Sequence, residues 1–194
     1  MTTKTRCKWC ESSDLMRSYH DTEWGVPLYD DRKLFEFIIL DTFQAGLSWS
    51  TILNKRETFR KAFDNFDPVK ISGYDEAKII SLLSDPGIIR NNLKVRSAVT
   101  NAQHFLRLQK EHKTFGSYIW SFVNHKPVVN SRTAGSPIPA SSPQSDAMSK
   151  ALIKQGFKFV GTTICYAFMQ AAGMVNDHAA ECFRYEELSL KGKG

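Results

Sequence analysis

The stretch Leu40-Asp41-Thr42-Phe43-Gln44-Ala45-Gly46-Leu47-Ser48-Trp49 decides how this chain is read. A helical pattern enters it and another leaves it. Leu34, Phe35, Ile38 and Ile39 recur at helical spacing behind Asp30-Asp31, a pair suited to an N-cap. Beyond it, Ser48 suits a second N-cap. Ile52, Leu53, Phe59 and Phe63 then form an apolar face, with Lys55, Arg56, Arg60 and Lys61 on the more polar side. Between the two helices lie a carboxylate, a flexible Ala-Gly step, an apolar Leu and an aromatic. Taken alone, these make a helix-helix corner with a buried Trp. They are also the parts that hold a flat, partly cationic ring.

Outward from this corner the pattern stays helical. Asp67-Pro68 starts a helix, with Pro suited to the first turn. Short helices are expected over residues 75–83 and 115–123, and a longer one over 91–110. Asp85-Pro86-Gly87 is a turn between them. Residues 126–145, rich in Pro and Ser, read as a long loop. Ser145 or Asp146 is expected to cap a helix running to Gln155 and closed by Gly156. A buried helix should follow over 162–172, ended by Gly173. Residues 1–29 read as an irregular arm and residues 184–194 as a frayed tail. No strand pattern or internal repeat is visible. The expected architecture is one all-α domain over residues 1–194.

The 194 residues are 42% hydrophobic, enough for one real core. The net charge of +6 is a weak bias toward polyanions. No signal peptide is visible, and the charge-free run from Phe159 to Val175 is short for a bilayer span. A cytoplasmic protein with no membrane partner is expected, so its four cysteines should be reduced.

Three constellations carry chemistry. Cys7 and Cys10 form Cys-x-x-Cys, His20 follows, and His178 and Cys182 stand four residues apart near the other end. Cys7, His20, His178 and Cys182 would make a closed zinc site, with Cys10 as a competing ligand. Buried thiols beside unrelated histidines are the plainer reading. Trp9, Tyr19, Trp24 and Trp49 would gather near Asp41 if the arm folds back, and such walls stack on bases. Finally, Gly156 to Thr163 joins two helices through glycines. The free N–H groups near Gly161, with Thr162, Thr163 and Lys158, suit one phosphate of a nucleic-acid backbone, although an ordinary turn fits the spacing too. No Walker, dinucleotide or G-x-S-x-G pattern is present.

Several motifs coincide with a known family. They are Tyr19-His20-Asp21-x-Glu23-Trp24-Gly25-Val26-Pro27, Phe43 to Trp49, Asp85-x-Gly87-Ile88-Ile89-Arg90, Trp120 to His125, Gly156 to Tyr166, and Asn176-Asp177-His178. With these, nearly the whole chain resembles the bacterial 3-methyladenine DNA glycosylase I family of the helix-hairpin-helix glycosylase superfamily. The resemblance implies a two-lobed all-α fold and a structural zinc on Cys7, His20, His178 and Cys182. It implies a base pocket lined by Trp9, Tyr19 and Trp49, with Trp24 and Met16 beside it and Asp41 as its carboxylate. It places Gly46 and Leu47 on a DNA-facing loop, with Leu47 as a wedge in the base stack. The hairpin around Gly161 would grip the backbone of double-stranded DNA. The implied reaction is hydrolytic release of 3-methyladenine from alkylated DNA by a monomer, without strand cleavage.

Two departures stand out. The family usually has Glu-Gly where this chain has Asp41-Thr42, and a pocket-side aromatic is replaced by Met16. Asp is one methylene shorter than Glu, and Met lacks the quadrupole of a ring. Two further readings follow. One is a weak or inactive binder of damaged DNA on the same fold, and the other is a zinc-stapled helical protein unrelated to DNA.

Overall fold

The computed structural model describes residues 4–191, and most of them are helical. The helices start where short polar side chains can accept hydrogen bonds from a first turn. Ser13 caps α1 (Asp14–Thr22), Asp30 caps α2 (Asp31–Gln44) and Ser48 caps α3 (Trp49–Ala62). Asp67, Asp75, Asn91 and Thr114 do the same for α4 (Pro68–Ser72), α5 (Glu76–Ser84), α6 (Asn92–His112) and α7 (Phe115–Trp120). Each such cap contributes about 0.5–2 kcal/mol. Only Asp30 of the Asp30-Asp31 pair caps its own helix. The Asp31 carboxylate accepts from the N–H groups of Phe115 and Gly116, both at 2.8 Å, and so joins α2 to the start of α7.

Helix α2 is the centre of the molecule. Every residue from Leu34 to Phe43 is buried, and the helix touches α3, α6, α7 and α9 (Thr162–Ala171). The polar residues Glu36, Asp41 and Thr42 are therefore inside. A buried carboxylate needs a partner, which explains why Arg56 is not on a polar face of α3. It is buried, donating to Glu36 at 2.6 Å and to Glu23 at 2.7 Å, while Arg60 reaches Glu36 at 2.7 Å. Arm, α2 and α3 are thereby joined by charge.

Four sequence expectations need correction. The arm is ordered: a 3₁₀ turn (Lys8–Ser12) leads into α1, whose buried stripe is Met16, Tyr19 and His20. That stripe has helical spacing but no aliphatic residues, so it does not read as a helix. The Pro/Ser-rich loop carries a two-residue strand, β1 (Val128–Val129), parallel to β2 (Val175–Asn176), with Val128 opposite Val175 and a further bridge from Arg132 to Ala179. Two residues are too few for an alternating pattern to show. Ser142, not Ser145 or Asp146, caps α8 (Pro143–Lys154). The Ser145 hydroxyl instead accepts from the Ser142 N–H, closing a capping box. The supposed tail is α10 (Phe183–Lys191), docked where Asn176 Nδ2 donates to the Tyr185 carbonyl at 3.1 Å. The rest of that stretch, residues 192–194, lies outside the described residues.

Arm and α9 meet at Gly173, which has φ +67°. A Cβ there would sit 2.2 Å from the Val26 carbonyl carbon, so only glycine permits the crossing. Gly25 N–H and Leu28 N–H bond the carbonyls of Gln170 and Ala172, both at 3.0 Å, which fixes the arm beside α9. Among the described residues, no helix is long and apolar enough to cross a membrane.

Candidate functional site

Arm, α2, α3 and α9 enclose a cavity of about 140 Å³. That is close to the ~150 Å³ of an apolar cavity that takes up a benzene ring. The residues singled out from the sequence as a pocket, namely Trp9, Met16, Tyr19, Trp24, Asp41 and Trp49, all line it. The walls are aromatic. Trp9 meets Trp24 edge-on at 4.9 Å between centroids, Tyr19 lies 5.2 Å from Trp49, and Trp49 stacks on Phe37 at 6.5 Å. The Arg56 guanidinium sits 5.2 Å from the other ring of that stack, Phe37, so the buried charge network backs the Trp49 wall.

Three buried polar atoms of the lining residues are left unmatched. Asp41 is 1% exposed and its Oδ2 has no hydrogen-bond partner. The indole nitrogens of Trp9 and Trp49 are also buried without acceptors. Such atoms each cost about 1–3 kcal/mol when nothing pairs with them. Of the four orphaned buried side-chain atoms among the described residues, three belong to this one lining. Burial pushes the Asp41 carboxyl well above the ordinary range for an aspartate. Burial also raises Tyr19, helped by the charges of Asp41 and Glu23 and opposed by Arg56. A cationic, planar guest with N–H donors and acceptors would answer all of these features.

The lining also holds Gln44, Ile138, Ala167, Gln170 and Ala171, which sequence reasoning missed. Ala167, Gln170 and Ala171 share one face of α9 at i, i+3 and i+4. A polar Gln170 inside an otherwise apolar helix was the available signal. Ile138 comes from the Pro/Ser-rich loop, where nothing in the sequence marks it.

Below the cavity, α2 ends in the loop Ala45-Gly46-Leu47. Gly46 has φ +79° with no atom within 4 Å of an added Cβ, and Leu47 is 41% exposed. The loop is held from beneath by Lys94 of α6, whose Nζ donates to the Phe43 and Ala45 carbonyls at 2.9 and 2.6 Å. A cation on the last carbonyls of a helix is favourable. Burial lowers the Lys94 pKa, so these two bonds have to hold the charge. The sequence reading passed over Lys94 because lysines on long helices usually face water.

The α8–α9 connection is a tight hairpin. Gly156 turns it at φ +99°, and a Cβ there would meet His104 Nε2 at 2.3 Å. Asn101 clamps Lys158 through both backbone groups, at 2.8 and 3.1 Å. Lys158, Gly161 and Thr163 are exposed, and α9 starts at Gly161 with no side-chain cap. Thr162 differs from expectation. Its hydroxyl is already bound to Asp146 at 2.5 Å and to Ser145 at 2.9 Å, so it ties α8 to α9. The exposed N–H groups remain.

On the far side of the arm, Cys7, His20, His178 and Cys182 bring their ligand atoms within 4.8 Å of one another, all buried. Cys182 Sγ lies 3.4 Å from His20 Nε2 and 3.6 Å from His178 Nδ1, and Cys7 Sγ lies 3.8 Å from His178 Nδ1. Tetrahedral coordination at the usual metal–sulfur and metal–nitrogen lengths separates ligands by about 3.3–3.8 Å. The opposite ring nitrogens are held too: His20 Nδ1 by Asp21 at 2.8 Å, itself gripped by Arg6, and His178 Nε2 by the Trp24 carbonyl at 3.1 Å. Metal-ligating histidines are oriented in this way. The group can hold a metal ion. Cys10 stays outside it, its thiol donating to the Cys7 carbonyl at 3.0 Å.

Known proteins are similar to this chain in sequence and in fold. The sequence profile of the methyladenine glycosylase family matches residues 9–185. DNA-3-methyladenine glycosylase 1 of Escherichia coli strain K12 is 51% identical over 180 residues, 93% of this chain and 96% of that one. DNA-3-methyladenine glycosylase of Haemophilus influenzae is 47% identical, over 92% of this chain and 96% of that one. A crystal structure of 3-methyladenine DNA glycosylase I superposes with a TM-score of 0.89 at 49% identity, covering 92% of this chain and 98% of the other. A variant of 3-methyladenine DNA glycosylase I, crystallised with 3-methyladenine, reaches 0.88 at 32% identity, covering 92% and 96%.

Proposed function

The chain belongs to the methyladenine glycosylase family, and from that premise we propose that it excises 3-methyladenine from alkylated double-stranded DNA by hydrolysing the N-glycosidic bond. The observation that carries this reading is the lining of one aromatic cavity by three orphaned polar groups, on Asp41, Trp9 and Trp49. The target nucleotide must leave the duplex to be reached. Methylation at N3 makes the adenine cationic and a good leaving group, so little general-acid help is needed. Trp9 and Trp49 stack on the ring, and Tyr19 contributes a face or edge. Trp24 and Met16 close the walls. Asp41 accepts from the base and, desolvated, attracts its positive charge. Two observations support this role for the shorter Asp41: the residue lines the cavity, and its buried carboxylate has an oxygen without a partner. Water attacks the sugar carbon. Among the described residues no lysine lines the cavity, which favours base release without a covalent intermediate or strand cleavage.

The α8–α9 pair acts as a helix-hairpin-helix, offering N–H groups around Gly161 and Thr163 to a backbone phosphate, with Lys158 beside them. Leu47, carried on flexible Gly46, enters the stack where the base has left. Zinc is the metal that the Cys7, His20, His178 and Cys182 donor set suits, in a closed structural site with no open position for chemistry.

The test is direct. Methylated duplex DNA is incubated with the protein and free 3-methyladenine is measured against a Trp49→Ala control. Release well above the control is expected. DNA binding with no release would instead favour a non-enzymatic damage binder, and the absence of both would favour a helical protein unrelated to DNA.

A further inference from the structure

Asp177 is 2% exposed and takes no part in the metal group beside it, yet it is the hub of a buried network. Its Oδ2 accepts from the Tyr166 hydroxyl at 2.7 Å and from Gln170 Nε2 at 2.6 Å, and its Oδ1 accepts from Asn130 Nδ2 at 2.7 Å. A carboxylate only accepts, so it settles which end of the Gln170 amide faces it. The nitrogen must point to Asp177 and the carbonyl oxygen must be the other end. Gln170 lines the aromatic cavity, keeps 8% exposure, and its oxygen has no donor among the described residues. The cavity is therefore given two acceptors, this amide oxygen and the Asp41 carboxylate.

We propose that Gln170, its amide oriented by Asp177, reads the substituent at C6 of the purine and makes the cavity selective for 6-amino over 6-oxo bases. This rests on the reading of the cavity as a methyladenine pocket. An exocyclic amine has two N–H bonds and can satisfy both acceptors. An oxo group satisfies neither and sets oxygen against two oxygens. A site built to receive an N–H rejects the analogue that lacks it more strongly than shape alone can. Asp177 is the positioning residue, since without an acceptor-only partner the amide is free to turn its N–H₂ to the base.

The experiment compares release of 3-methyladenine and 3-methylguanine from methylated duplex DNA by the wild-type protein and by Gln170→Met, which keeps the length and removes the acceptor. The variant is expected to lower 3-methyladenine release about 10-fold while leaving 3-methylguanine release unchanged or higher, so that the ratio falls at least as much. A fall in both by the same factor, or an unchanged ratio, overturns the role of Gln170 and leaves the glycosylase reading standing. No release of either base by the wild-type protein overturns both. Titration of the wild-type protein with free 3-methyladenine and free 3-methylhypoxanthine needs no variant. Binding of the amino base about 10-fold tighter supports the proposal, and equal affinity overturns it.

Discussion

Asp41 sits where stability and recognition oppose each other. Its carboxyl is raised by burial, so between the ordinary aspartate range and its own pKa the folded protein binds more protons than the unfolded chain. Stability from this group therefore declines as pH rises through that window, and the cost is fully present above it. Asp41→Asn should raise the melting temperature at neutral pH, with the gain vanishing near pH 4, as calorimetry across pH will read. The same change should cut 3-methyladenine release by about 10–100-fold, the worth of a hydrogen bond to a charged acceptor. At this scale the sequence was informative where chemistry is unusual. Cys7, His20, Asp41, His178 and Cys182 stood out by residue type. Lys94 and Arg56 did not, because their roles come from what they touch across the fold, and although Gln170 is a polar residue in a buried helix, nothing local to it points to Asp177 as its partner.

Among elements, the loop after α2 and the hairpin before α9 are built to different standards, and each yields a test. Lys94 bonds the two carbonyls that shape the Leu47 loop. Lys94→Met should lower base release from DNA about 10-fold and affinity for free 3-methyladenine much less, because of the cavity lining only Gln44 lies between the two carbonyls. Equal losses in both would assign Lys94 to general stability. In the hairpin, Gly156 and Gly161 should part company. Gly156→Ala meets His104 and a positive φ, and should destabilise by 1 kcal/mol or more. Gly161 has an ordinary φ of −60° and open space around it. Gly161→Ala should leave the melting temperature unchanged and weaken DNA binding, measured by fluorescence anisotropy, because the methyl stands where a phosphate would approach. Helix starts were legible from their capping residues at Asp30, Ser48 and Asp67, since capping is local. Helix α1 and the β1–β2 pair were not, because each is held by contacts with distant segments.

Across the whole molecule, the arm and the segment after β2 meet in a four-residue group that can hold a metal ion, a clasp between them. Cys7 and His20 come from the arm, His178 and Cys182 from the segment after β2, and the arm also carries Trp9 and Tyr19 into the cavity. Removing the metal with a strong chelator should lower the melting temperature by about 10 °C or more, equivalent to several kcal/mol for a chain of this size. Metal analysis of the untreated protein should find one zinc per chain. The mostly helical character was legible because helical periodicity needs only neighbours in sequence, whereas the closeness of arm and C-terminal segment became visible only through motifs spread over the whole length.

The clasp also sets a timetable for biogenesis. Its ligands Cys7 and His178 are 171 residues apart. Cys182, the last of the four, follows His20 by 162 residues, so at about 5–20 residues per second the first pair emerges from the ribosome roughly 8–32 s before the last. During that interval the nascent chain has half of the Cys/His group and an aromatic arm with no α9 to close against. The four-residue group is therefore completed last, and a chain that stops short of Cys182 never assembles it.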